Sequence, residues 1–154
     1  MTSTHNIKRI FWVVGIFMLT TLNSTTVFGQ TAISWDVLAD VTFHEEYDEV
    51  LQTYWLIPTF GKQPKSYQNK TIVLEGYFIP IDPESGFYVL SKNPYSSCFF
   101  CGAAGPETVV EIQLDEELAR HISMDERIKV KGKLALNKSD FDHCNYILKS
   151  ASTL

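Results

Sequence analysis

Two cysteines three positions apart, in Cys98-Phe99-Phe100-Cys101-Gly102, are the residues of this chain best suited to chemistry. Thiolates at that spacing can chelate one soft cation, and the glycine lets the backbone close tightly around it. They make half a zinc site, because zinc takes four protein ligands when structural and three when catalytic. The further donors are His143 and Cys144, adjacent in a second loop nearer the C-terminus. The expected metal set is therefore Cys98, Cys101, Cys144 and His143, holding a Zn²⁺-like ion, and no residue is assigned to catalysis.

The same spacing serves other chemistries. Cys98 and Cys101 could close a local disulfide, with Cys144 buried as a small apolar side chain. One of the pair could instead bridge to Cys144 and leave the other thiol free. A redox-active dithiol is the third alternative. It needs a lowered thiol pKa, which usually comes from a helix N-terminus in a βαβ setting rather than from a loop between strands.

Other clusters read more plainly. His44, Glu45, Glu46 and Asp48 would suit a hard cation, but the spacing of a calcium loop is missing and the group reads as a solvated face. Lys129, Lys131 and Lys133 alternate as the wet side of a strand does. Glu107, just after the cysteines, reads as a solvated charge at a strand start, and His121 as the last turn of a helix. Tyr77, Phe78, Phe87, Tyr88 and Tyr95 are expected mostly in the core.

These residues must be placed by elements. Thr71–Ile79 reads as a first strand, β-branched and aromatic, ended by Pro80, Asp82 and Pro83. Gly86–Ser91 returns as a second, and residues 92–107 form the long cysteine loop. Thr108–Leu114 alternates, with Val110, Ile112 and Leu114 on one side and Glu111 and Gln113 on the other. Asp115 caps a short helix to Ile122. Arg127–Leu136 alternates best, and Asn145–Ser150 is the final strand. Before the barrel, Ser34 is positioned to cap a turn of helix through Leu38, with an extended piece over Val50–Ile57 and a loop over 61–70.

This order predicts a mainly β fold: a small five-stranded OB-like Greek-key barrel, with one short helix between its third and fourth strands. The barrel is assigned to residues 71–154, and residues 30–70 to an N-terminal extension packing on it. In that topology the cysteine loop and the Asp142-His143-Cys144 loop open at the same end of the barrel.

Residues 1–29 read as a separate object. Lys8 and Arg9 precede an apolar run from Ile10 to Leu22, followed by Val27-Phe28-Gly29. This is a secretory signal peptide cut near Gly29, since the run is well short of the roughly 20 residues that span a membrane. The expected location is the periplasm or the secreted fraction, with no membrane span after cleavage. Removing two basic and no acidic residues takes the formal net charge from −5 to −7. An acidic exported domain is a poor fit to nucleic acid or anionic membrane. A protein partner in the cell envelope suits it better.

Ile33-Ser34-Trp35 to Leu38, Leu74 to Pro80, Ser97 to Glu107 with its cysteines, and Gly132 to Asn137 together resemble an uncharacterised bacterial exported family, domain of unknown function 3299. Another branch of that family carries Cys-x-His followed by prolines in the same loop. This chain departs from it with Cys98-x-x-Cys101, and the exchange reads as one metal ligand swapped for another. The family has no established activity, so the resemblance implies export and fold rather than a reaction.

Overall fold

A computed structural model of the protein describes residues 31–154. The leader assigned to residues 1–29 lies outside the described residues. In chain order the elements are β1 (Thr31–Ala32), α1 (Trp35–Leu38), β2 (Val41–Asp48), β3 (Thr53–Phe60), α2 (Lys62–Tyr67), β4 (Thr71–Asp82) and β5 (Phe87–Ser91). Then follow β6 (Val109–Ile112), α3 (Glu116–Ala119), β7 (Arg127–Leu136) and β8 (Tyr146–Thr153). No helix among the described residues is long and apolar enough to cross a membrane.

Five strands close a barrel in the order β4-β5-β6-β8-β7, with β7 pairing back to β4. All neighbours are antiparallel except β6 and β8, which run parallel. With α3 between the third and fourth barrel strands, this is the OB arrangement expected from the sequence. Asp115 caps α3, its carboxylate accepting from the Glu117 and Leu118 amides. Ser34 precedes α1 in extended conformation but makes no capping bond.

The alternating residues of β7 behave as their pattern demands. Val130, Gly132 and Leu134 are buried, while Lys129 and Lys133 are exposed. They meet Ile72, Leu74, Phe78, Leu90, Val110, Ile112, Tyr146 and Leu148 in one core. Ile33, Trp35, Leu38, Val41, Phe60 and Tyr67, from the segment before the barrel, join the same core. β1 adds to β4 in parallel, and the Trp35 indole donates to the Glu75 carbonyl at 2.8 Å.

Two sequence expectations need correction. The extended piece over Val50–Ile57 is instead the tip and second strand of a hairpin, in which Val41–Asp48 pairs with Thr53–Phe60. Asp48 makes that reversal by accepting from the Val50 and Leu51 amides. The loop over 61–70 contains α2, whose Pro64 falls in the first turn, where no amide hydrogen bond is lost. Glu111 lies on the side opposite Val110 and Ile112, as the alternation places it, yet all four residues of β6 are buried, because the 137–145 loop covers the face opposite the core.

Candidate functional site

The cysteine loop leaves β5 and reaches β6 through three 3₁₀ turns, Tyr95–Ser97, Phe99–Cys101 and Pro106–Thr108. It is closed at its base by the Lys92 amide on the Thr108 carbonyl at 2.9 Å. Asp125, before β7, anchors it by accepting from the Tyr95 amide at 2.7 Å. Cys98 lies between the first two turns in extended conformation, and Gly102 ends the second in the left-handed region, at φ +71°. That position favours glycine because it carries no Cβ.

The two cysteines have opposite surroundings. Cys98 is fully buried against Ile79 and Val89, whereas Cys101 is exposed. The Cys101 thiol donates to the Tyr95 carbonyl at 2.9 Å. It is raised above its ordinary pKa by partial desolvation, then by its hydrogen bond with Cys98 and the charge Cys98 would carry. Cys144 packs against the same small cluster as Cys98. Burial, then the nearby Glu111 charge, pushes its thiol up to about 12. All three cysteines are free thiols.

The second loop is organised by Asn137. Its side-chain amide donates to the carbonyls of Asp140, His143 and Cys144, and its side-chain oxygen accepts from the Ser139 and Asp140 amides. This presents His143 to Glu111, whose side chain is only 6 % exposed. His143 Nδ1 lies 2.9 Å from Glu111 Oε2, and the same oxygen accepts from the Cys144 amide at 3.2 Å. The hydrogen bond and then the charge of Glu111 raise the His143 pKa above 6.5. With Nδ1 committed to a carboxylate, Nε2 is the ring nitrogen left for a ligand.

Both loops border one groove of about 400 Å³ at the same end of the barrel. Phe87, Phe99, Phe100, His143 and Cys144 line it, together with Trp55 of β3 and Phe141, whose rings stack at 4.1 Å. Of the four predicted site residues, Cys98 and Cys101 are neighbours, Cys144 touches the Cys98 cluster, and His143 shares the groove. Among the described residues, no three His, Cys, Asp or Glu side chains converge on a single point suited to a metal ion.

Sequence reasoning missed Glu111 as a member of this site. Its signal was a carboxylate in the middle of an otherwise apolar Val109-Val110-Glu111-Ile112 strand, which ordinary alternation explains equally well. Comparison of the chain with family models, curated proteins and solved structures finds no match.

Proposed function

We propose that this is a non-enzymatic binding module of the periplasm or secreted fraction, a member of the exported family it resembles. Its Cys98-Phe99-Phe100-Cys101 loop holds a zinc-like metal, with Cys144 and His143 as further donors, in metal handling or envelope transport. The observation that carries the reading is the meeting of two donor-bearing loops at one barrel end. Phe99 and Phe100, between the two cysteines, line a groove with Cys144 and with a histidine whose Nδ1 is held by buried Glu111, and Cys144 packs on the cluster that buries Cys98. A metal-ligating histidine is ordinarily oriented in this way by a second group. The raised thiols of Cys101 and Cys144 speak against thiol oxidoreduction, which works through an accessible thiolate.

One observation favours a second reading. Cys98 and Cys101 sit side by side, so in an oxidising compartment they can pair as a local disulfide that pins the loop of an adaptor domain.

Elemental analysis with thiol titration, on mature protein purified without chelator or added metal, separates the two. The metal reading expects about one zinc per chain, lost when Cys98 and Cys101 become Ser. Absence of metal together with a single titratable thiol would overturn it in favour of the disulfide.

A further inference from the structure

The β2–β3 hairpin carries side chains that its own chain leaves uncovered. Tyr47 and Tyr54 are direct cross-strand partners, with ring centroids 4.9 Å apart. Glu45 pairs with Leu56 one step along on the same face. Tyr47, Leu56 and the tip residue Leu51 are exposed, Tyr54 is 65 % exposed and Val50 90 %. On the other face, Trp55 is covered by Phe141 and its indole reaches Asp48. One face of the outer hairpin is thus fastened to the molecule, and the other is apolar, aromatic and open.

The backbone is equally uncommitted. β2 and β3 form a sheet of their own. Among the described residues, no backbone hydrogen bond leads from residues 42–60 to another element. A lone two-stranded hairpin is marginal in water, and its free edges can template a further strand. Charge selects the partner. Residues 41–60 contain Glu45, Glu46, Asp48 and Glu49 and no Lys or Arg. Those carboxylates oppose a second copy of the same hairpin and an anionic membrane surface alike. They attract an extended segment in which basic and apolar residues alternate.

We infer that the Tyr47–Tyr54–Leu56 face and the Val50–Leu51 tip are a docking surface for a basic, apolar polypeptide segment of a partner protein. Tyr54 and Leu56 also line the groove bordered by the cysteine loop, but none of these residues belongs to the predicted ligand set, so the inference does not rest on metal there.

The test uses full-length mature protein and a fluorescent synthetic peptide alternating lysine with valine, read by anisotropy. The inference expects saturable binding that weakens steeply with salt, and at least tenfold weaker binding when Tyr47 and Tyr54 both become Ser. The exposed-site variant Glu45→Gln/Glu49→Gln should also weaken binding, which keeps the test clear of any folding defect in the tyrosine variant. Four results would each overturn it. These are no binding, binding unchanged in both variants, equal binding of a glutamate–valine peptide, and hairpin-dependent self-association or adsorption to zwitterionic vesicles in preference to the peptide.

Discussion

Glu111 and His143 concentrate the electrostatics of the site in one pair. A carboxylate this buried is costly without partners, and here it accepts from both the imidazole and the Cys144 amide. The folded state therefore holds the imidazole proton more tightly than the unfolded chain does. That contribution to stability is complete below the ordinary histidine value of 6.5 and is lost as pH rises through the raised folded value. His143→Gln keeps an amide donor but cannot titrate. The melting-temperature advantage of the parent over this variant should be largest at about pH 5 to 6 and shrink steadily above neutrality. Thermal melts across that range measure it, and an advantage that grew with pH would refute the assignment.

At the scale of the element, β4 carries the heaviest constraint, because alone among the barrel strands it pairs with three others, β1, β5 and β7. Gly76 lies opposite Ile128 in one of those pairings. A Cβ there would stand 2.6 Å from the Ser91 carbonyl oxygen, 2.9 Å from Leu90 and 3.0 Å from Trp35. The first of these is backbone and cannot swing aside. Gly76→Ala should cost about 1–3 kcal/mol by overpacking, seen as a lower urea midpoint with the slope unchanged. An unchanged midpoint would mean that β4, β5 and α1 approach less closely than these distances state.

Across the whole molecule, the segment before the barrel and the barrel share one core, and Tyr146 links them directly. Its hydroxyl, raised in pKa by burial and then by Glu107 and Asp40, donates to the Leu38 carbonyl at 2.7 Å. The two residues stand 108 positions apart, and the ring packs edge-on to Phe60. Tyr146→Phe leaves a buried carbonyl without its donor and should cost about 1–3 kcal/mol. Because the core is continuous, parent and variant should each melt in one transition, coincident in near- and far-ultraviolet circular dichroism. Two separated transitions in the variant would show that residues 31–70 dock as an independent unit.

What the sequence determined by itself was whatever local pattern encodes. The alternation of Arg127–Leu136, the Asp115 cap and the order of strands around one helix were enough to specify a five-stranded OB-like barrel, because period and turn chemistry act over a few residues. Strand direction alone brought the Cys98–Cys101 and His143–Cys144 loops to one end. The hairpin of residues 41–60 was obscure because aromatic and acidic residues mix on both of its faces, so burial periodicity is blurred. The opposite fates of Cys98 and Cys101, one interior and one exposed, were decided only by how the 3₁₀ turns of their loop pack on Ile79 and Val89. The role of Glu111 was likewise decided in three dimensions. Its partners lie 32 and 33 residues away, and a strand's alternation records which face a side chain is on, not whether another loop will cover that face.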